Sequence, residues 1–249
     1  MTTNVNALVT GANKGIGFET ARRLAAMGFK VWLGARDAER GEAAAKMLRN
    51  EGLGVEWLQL DVASDDSVTA AAKTMTARIS SLDALVNNAG IAPGYVDAVG
   101  PDGRYERPPS RESVADMKAT YDVNVFGPVR VTQAFLPLLL ASPAARIVMV
   151  SSYLGSIARA ADNSQSPNVM GYGSSKTALN AITVAFAREL SPRGMMVNAA
   201  APGYTATDLN AHKGGRTVQQ AAGIIVQLAT LEAGGPTGGY FDENGPLPW

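Results

Sequence analysis

Residues 10–17 read Thr-Gly-Ala-Asn-Lys-Gly-Ile-Gly, and they join an apolar run at residues 6–10 to an amphipathic pattern at residues 15–27. The run has the length of a buried strand, and the pattern has the spacing of a helix. Glycines at such a junction permit a tight turn and let backbone N–H groups approach a phosphate at the positive end of the helix. The stretch predicts a nucleotide-binding strand-turn-helix unit, and the alternative is a tight turn with no ligand.

The same alternation of strand and helix patterns continues along the chain. Further strand patterns lie at residues 30–35, 55–60, 84–87, 146–151, 196–200 and 239–241. The helical patterns lie at residues 37–51, 65–79, 113–140, 172–190 and 217–231. Strict alternation is typical of a parallel sheet covered on both faces. We expect one doubly wound, Rossmann-type α/β domain over residues 1–249, with a sheet of about seven parallel strands and helices on both faces.

The composition of the chain disfavours several classes of binding partner and of catalytic site. The chain has 22 Lys and Arg against 22 Asp and Glu, so no net field attracts nucleic acid or an anionic membrane. It has no cysteine and one histidine, His212, which disfavours thiolate zinc sites and histidine-based triads. The longest uncharged runs, at residues 131–145 and 217–231, are too short to span a bilayer. With no N-terminal signal pattern visible, we expect a cytoplasmic protein with no metal, nucleic-acid or membrane partner.

Polar and small residues follow successive strand patterns. Asp61 and Val62 follow the third strand pattern, and Asn88, Ala89 and Gly90 follow the fourth. Because the carboxyl ends of parallel strands form the ligand-binding edge of such a sheet, we expect these residues to line one crevice. The substrate side of this crevice is expected to be formed by three loops, at residues 91–111, 154–171 and 203–216.

Tyr172 and Lys176 stand four residues apart at the start of a helical pattern, so they share one helix face. A cation beside a phenol favours the phenolate, so the pair predicts an acid/base group with a lowered pKa. An exposed pair without a role would show the same spacing. Ser152 at a strand end and Asn124 in a helical pattern strengthen the catalytic interpretation. Ser151 is expected to be a packing residue at the strand end. Asn124 is also compatible with a helix kink in which its amide is hydrogen-bonded.

The glycine motif, Asn-Asn-Ala-Gly at residues 87–90, Tyr-x-x-x-Lys at 172–176 and Pro-Gly at 202–203 occur in the order seen in short-chain dehydrogenases/reductases. The chain resembles that family over essentially its whole length. Residues 10–17, 35–41 and 235–239 are most similar to the NADPH-dependent carbonyl reductases of the family. The resemblance implies reversible reduction of a ketone or aldehyde to an alcohol, with NADPH/NADP as cofactor.

The resemblance also implies a role for each candidate residue. Tyr172 gives a proton to the carbonyl oxygen and Ser152 polarises it, while Lys176 lowers the phenol pKa and holds the nicotinamide ribose. Asn124 anchors a water that leads to the lysine. The residues implied for the cofactor site are Gly11, Asn13, Lys14, Gly15, Ile16, Gly17, Arg36, Arg40, Asp61, Val62, Asn88, Ala89, Gly90, Tyr172, Lys176, Pro202, Gly203 and Thr207.

The residues after the second strand pattern favour NADP over NAD. An NAD enzyme carries a carboxylate there to bind the ribose 2′-hydroxyl, whereas this chain has Ala35 and then Arg36. Arg36 and Lys14 can bracket a 2′-phosphate with charge-assisted hydrogen bonds. Asp37 is expected to cap the next helix instead.

Several alternatives stay open at this point. A 3-ketoacyl-carrier reductase would need a basic surface for its acidic carrier, and a nucleotide-sensing regulator typically loses the catalytic Tyr or Lys. Ser152 and Tyr172 are twenty residues apart, which predicts an extra substrate-side loop at residues 159–169. The apolar patterns at residues 119–140 and 177–190 are compatible with a dimer, a tetramer or a monomer.

Overall fold

Eight strands form one sheet in this computed structural model, which describes residues 5–98, 107–162 and 167–249. The strands are β1 (Asn6–Thr10), β2 (Lys30–Ala35), β3 (Val55–Gln59), β4 (Ala84–Asn87), β5 (Arg146–Val150), β6 (Met196–Ala200), β7 (Tyr240–Asp242) and β8 (Gly245–Pro246). Their order is β3-β2-β1-β4-β5-β6-β7-β8, and β1 to β7 pair in parallel. The order reverses between β1 and β4, which is where doubly wound sheets bind ligands.

Helices cover both faces of the sheet. They are α1 (Gly15–Ala26), α2 (Ala38–Asn50), α3 (Asp65–Thr76), α4 (Val114–Tyr121), α5 (Gly127–Leu140), α6 (Ile157–Asp162), α7 (Met170–Leu190) and α8 (Val218–Ala229). One hydrophobic cluster joins α1, α2 and α8 to one face of the sheet. A second cluster joins α3, α5 and α7 to the other face. The domain is therefore a three-layer α/β/α sandwich, as expected from the alternation of patterns.

Burial on both faces explains why the strands read as continuous apolar runs. In β1, Leu8 packs in the cluster with α3, α5 and α7, whereas its neighbour Val9 packs in the cluster with α1, α2 and α8. In β5, Ile147 and Val148 divide between the clusters in the same way. Neither face needs polar residues, because neither meets water.

Four features differ from the sequence expectation. The sheet has an eighth strand, because a turn at Glu243 and Asn244, followed by Gly245 with φ +125°, brings β8 back antiparallel to β7. The helical pattern at residues 113–140 is split by a π-helical turn at Asp122–Phe126. The predicted loop at residues 154–171 contains α6 and the first two residues of α7. Residues 99–106 of the first predicted loop and 163–166 of the second lie outside the described residues.

The stretch Val114–Leu140 spans α4, the π turn and α5, and its length and composition alone would allow it to cross a membrane. Half of its most apolar window is buried inside the domain, where Val131 and Phe135 belong to the core. Core helices meet the same length and composition test, and this burial identifies the stretch as one of them.

Candidate active site

The glycine loop between β1 and α1 has two glycines in the left-handed region, Gly11 and Gly15, each with φ +61°. A Cβ built on Gly11 would lie 2.8 Å from Ala89 Cα, and one on Gly17 would lie 2.4 Å from Asn88 Nδ2. At Gly15 it would meet only Thr207 Cγ2, at 3.7 Å. Gly11 and Gly17 thus allow close packing on the end of β4, while space is left beside Gly15 at the start of α1, as a phosphate cradle requires.

Asn88 connects the glycine loop to β4. Its Nδ2 donates to the carbonyl oxygens of Thr10 and Gly11, at 2.9 and 3.1 Å. The backbone N–H groups of Asn88 and Ala89 both donate to Thr10 Oγ1, at 3.0 Å. The role implied for Asn88 at the cofactor site is therefore accompanied by a structural role, since its amide fixes the shape of the loop.

The ends of β2 and β3 carry the next predicted site residues. Arg36 and Arg40 are exposed. Asp37 Oδ1 accepts from Arg40 N at 2.9 Å, so Asp37 caps α2 as expected. Asp61 Oδ1 accepts from Ala63 N at 3.0 Å and shapes the turn after β3. Val62 is buried there, and a Cβ on Gly127 would lie 2.9 Å from its side chain.

The segment after β6 reaches the glycine loop from the other side. It contains Pro202, Gly203 and Thr207, and Thr207 is the residue that faces Gly15. The Lys14 ammonium forms an ion pair with Asp208, which also accepts from His212 Nε2 at 2.8 Å. This ion pair was not predicted, and it places Lys14 against Asp208 in the arrangement seen here.

Ser152, Tyr172 and Lys176 come together at the carboxyl edge of the sheet. Ser152 follows β5, and the other two lie in the first two turns of α7. The Ser152 hydroxyl lies beside the Tyr172 phenol, near enough to lower its pKa by hydrogen bonding. Lys176 Nζ lies 5.5 Å from the centroid of the Tyr172 ring and donates to Val150 O at 2.7 Å. A hydroxyl pair and an amine thus share one site.

The pKa values at this site depend mainly on burial. Burial raises the pKa of Tyr172 to about 12, and the hydrogen bond with Ser152 offsets only part of that rise. Burial lowers the pKa of Lys176 to about 8. The expected lowering of the phenol pKa by Lys176 is therefore not found in this structure, where burial is the largest cause of the shift and raises the pKa. The phenol is protonated throughout the neutral range.

Asn124 lies in the π turn and connects the loop after β4 to α7. Its Oδ1 accepts from Ile91 N at 2.9 Å, and its Nδ2 donates to Ile91 O at 3.0 Å and to Ser175 Oγ at 3.1 Å. A Cβ on Gly90 would lie 3.4 Å from Asn124 Oδ1 and 3.6 Å from Lys176 Nζ, so Gly90 lies between these two groups. The amide is satisfied by protein, as the kink interpretation expects, and the anchored water stays a prediction.

Sequence reasoning missed three residues around this site. Ser175 Oγ donates to Tyr172 O at 2.7 Å and accepts from Asn124. Asp208 holds Lys14, and the Tyr240 hydroxyl donates to Ser152 O at 2.5 Å. Ser175 is three residues from Tyr172, so helical spacing could have indicated it. Ser151 has the packing role expected of it, since it is buried and donates to Asn180 Oδ1 at 2.6 Å.

Within the described ranges 5–98, 107–162 and 167–249, no three His, Asp or Glu side chains are grouped so as to hold a metal ion.

Comparisons with known proteins agree with this arrangement. A family model described as short chain dehydrogenase matches residues 5–216. The (−)-isopiperitenone reductase of Mentha piperita is 33% identical over an alignment of 308 residues that covers 97% of each chain. That alignment is longer than this 249-residue chain, so the mint protein has segments with no counterpart here.

Solved structures give the same result. An NADPH-bound carbonyl reductase from chicken fatty liver superimposes with a TM-score of 0.84 and 28% identity, covering 99% of this chain and 100% of its own. Salutaridine reductase from Papaver somniferum superimposes with a TM-score of 0.81 and 28% identity, covering 96% and 99%. Because the family match spans most of the chain and the fold is Rossmann-type, this protein belongs to the short-chain dehydrogenase/reductase family and is an oxidoreductase.

Proposed function

We propose that this protein is an NADPH-dependent reductase that converts the ketone or aldehyde group of a small molecule to an alcohol, with Tyr172 as general acid. One observation carries the proposal. The Ser152 hydroxyl lies beside the Tyr172 phenol and lowers its pKa, and Lys176 Nζ lies 5.5 Å from the centroid of the phenol ring, at the edge of the sheet next to the glycine loop. Two hydroxyl donors that converge in this way can share one carbonyl oxygen.

The protonation state of Tyr172 suits the reducing direction. Since burial raises the pKa of Tyr172 to about 12, the phenol carries its proton at neutral pH and can give it to a developing alkoxide. Ser152 hydrogen-bonds the same oxygen and stabilises its negative charge. NADPH, when bound, supplies a hydride to the carbonyl carbon. In the reverse direction Tyr172 has to accept a proton as phenolate, so alcohol oxidation should rise with pH.

Lys176 contributes through its position. The amine is 3% exposed, lies near the phenol ring and is held by Val150 O at 2.7 Å. We assign two roles to Lys176, which are to bind the nicotinamide ribose and to influence the protonation state of Tyr172. Because Asn124 and Ser175 fix the loop at Ile91 against the backbone of Tyr172, they keep the first turn of α7 in place for both groups.

The chain's residues fit a dinucleotide with a 2′-phosphate. Gly15 leaves open space at the start of α1, and the exposed Arg36 follows β2 without a neighbouring carboxylate turned toward it, since Asp37 caps α2. Lys14 would have to leave Asp208 to contact the phosphate. The structural neighbour from chicken, described as NADPH-bound, supports the same choice. Binding of the adenosine is assigned to the turn at Asp61 and Val62.

The test is a panel of free ketones, aldehydes and carrier-linked 3-ketoacyl substrates, followed by NADPH and NADH absorbance. We expect NADPH oxidation with free carbonyl compounds. Faster turnover of carrier-linked substrates would favour the 3-ketoacyl-carrier alternative, and cofactor binding without turnover would favour a nucleotide sensor.

Titration tests the cofactor assignment separately. Arg36→Ala should weaken NADPH binding by about 10- to 150-fold, the scale of one hydrogen bond to a charged group, and leave NADH binding nearly unchanged. Arg49→Ala, on the exposed face of α2 in an ion pair with Glu42, is the matched control. Equal losses for both cofactors in Arg36→Ala, or a wild-type preference for NADH, would contradict the assignment. The cytoplasmic location stays a prediction.

A further inference from the structure

The C-terminal segment, residues 240–249, packs against the segment that carries Ser152. Ser156 Oγ donates to Pro248 O at 2.8 Å, and Ala158 N donates to Trp249 O at 3.0 Å. Within the C-terminal segment, Leu247 N donates to Tyr240 O at 2.7 Å and closes the β7–β8 hairpin. The two segments are therefore joined at several points along residues 152–158.

Tyr240 makes the contact nearest to the chemistry. Its side chain is 2% exposed, and its hydroxyl donates to the carbonyl oxygen of Ser152 at 2.5 Å. The ring stacks on Trp249, with centroids 5.5 Å apart and planes 16° from parallel. A buried phenol hydroxyl needs a hydrogen-bond partner, and here the partner is the backbone of the residue assigned to polarise the substrate.

A second contact holds the next residue. The Tyr153 hydroxyl donates to Asp242 Oδ2 at 2.7 Å. Asp242 Oδ1 accepts from Asn244 N at 2.7 Å, so one oxygen of this buried carboxylate is held within the hairpin and the other binds Tyr153. Side chains from the C-terminal segment therefore anchor Ser152 through its carbonyl and Tyr153 through its hydroxyl.

Tyr240 shares the Ser152 carbonyl oxygen with one local hydrogen bond. β5 ends at Val150, and a 3₁₀ turn at Tyr153–Gly155 follows, in which Gly155 N donates to Ser152 O at 2.8 Å. Ser152 therefore lies between regular elements, and the Tyr240 hydroxyl adds a second hydrogen bond to its backbone. A rotation of this backbone would turn the Ser152 hydroxyl away from Tyr172. Catalytic groups lose rate steeply with such displacements, because proximity and orientation account for much of the barrier reduction.

We propose that Tyr240 is a positioning residue for carbonyl reduction: its hydroxyl holds the Ser152 backbone so that the Ser152 and Tyr172 hydroxyls meet on one substrate oxygen. Asp242 supports the same backbone through Tyr153. The inference rests on the proposed function, and it makes the C-terminal hairpin part of the active-site architecture.

Tyr240→Phe tests the inference, because it keeps the stacked ring and removes one hydroxyl. We expect kcat to fall by about 3- to 10-fold, the scale of one hydrogen bond, with KM for the carbonyl substrate and Kd for NADPH unchanged. In a Ser152→Ala background the same substitution should have no further effect on kcat, because Tyr240 acts through Ser152. Tyr121→Phe, in α4, is the control for replacing a tyrosine hydroxyl elsewhere.

Two readouts separate positioning from general damage. Hydrogen exchange of the peptide covering residues 150–158 should become faster in Tyr240→Phe and not in Tyr121→Phe. The alkaline limb of alcohol oxidation should move to higher pH, because a displaced Ser152 no longer lowers the pKa of Tyr172.

Any one of three results for Tyr240→Phe would overturn the inference: an unchanged kcat, an equal fall of kcat in the Ser152→Ala background, or unchanged hydrogen exchange at residues 150–158. A wild-type enzyme inactive on the whole carbonyl panel would overturn the proposed function, and with it the positioning role of Tyr240 in carbonyl reduction. Hydrogen exchange would still report whether Tyr240 holds the Ser152 backbone, so the two failures are distinguishable.

Discussion

Replacing Lys176 by methionine should stabilise the protein at neutral pH while removing its activity. Lys176 is 3% exposed, and burial lowers its pKa to about 8 from the ordinary 10.5. Holding it charged at pH 7 then costs about 3 kcal/mol, at about 1.4 kcal/mol per pH unit. Methionine has a similar volume and no charge, but it loses the hydrogen bond to Val150 O, worth about 1 kcal/mol. The net gain expected at pH 7 is about 1–3 kcal/mol.

The pH dependence identifies the cause. Because the folded pKa of Lys176 lies below the unfolded one, the unfolded chain binds more protons between about pH 8 and 10.5, and the wild type gains stability as pH rises through that window. Its full penalty is present below pH 8. The advantage of Lys176→Met should therefore shrink as pH rises from 8 to 10.5.

Chemical denaturation of the cofactor-free wild type and variant at pH 7 and pH 10 measures this difference. Lys73→Met, at an exposed position of α3, is the matched control, and its stability difference should be the same at both pH values. A Lys176→Met variant less stable than the wild type at pH 7, or an advantage that does not change with pH, would refute the reasoning. Loss of carbonyl reduction in a more stable variant would show that Lys176 is needed for activity although it destabilises the fold.

Three further predictions concern the glycine loop and the helices beside it. Asp208→Asn frees Lys14 from an exposed ion pair worth about 0–1 kcal/mol, so NADPH titration should show binding that is up to about fivefold tighter, and weaker binding would contradict this. Thr217→Ala removes the capping box of α8 and should lower the free energy of unfolding by about 1 kcal/mol, whereas Thr217→Ser should retain it. Gly11→Ala should lower the free energy of unfolding, measured by urea denaturation, more than Gly28→Ala does. Both glycines have positive φ, +61° and +93°, but a Cβ at Gly11 would also clash with Ala89 Cα at 2.8 Å, whereas Gly28 has open space around it.

The sheet was largely predictable from the sequence, because its strands are buried on both faces. β1, β2, β4 and β6 occupy the expected ranges, since each is a mostly apolar run bounded by polar or turn residues. Helix ends also followed local chemistry, as at Asp37, whose carboxylate caps α2. β8 has only two residues, which is too short for any periodic pattern to register.

The candidate site was predictable to the extent that its motifs are local. Tyr172 and Lys176 lie on one helix face, and the residues after successive strands meet at one edge because parallel strands place them there. The pairs Lys14 with Asp208 and Tyr240 with Ser152 join residues 194 and 88 positions apart, and no local pattern relates them.

The direction in which the Tyr172 pKa shifts could not be predicted from the sequence, for a related reason. The spacing of Tyr172 and Lys176 shows that a cation is near the phenol, and this consideration alone predicts a lowered pKa. It does not show how deeply both groups are buried. Burial raises the pKa of Tyr172 to about 12 and lowers that of Lys176 to about 8, so desolvation decides both directions.

Single-turnover reduction of the best carbonyl substrate by the NADPH-loaded enzyme tests the central claim most directly, with wild type and Tyr172→Phe compared at equal cofactor saturation. The account predicts that Tyr172→Phe binds NADPH with the wild-type Kd, because the ring keeps its place, and transfers hydride at least about 100-fold more slowly, the scale of losing a positioned acid. Hydride transfer at the wild-type rate in Tyr172→Phe would show that another group supplies the proton and would contradict the account.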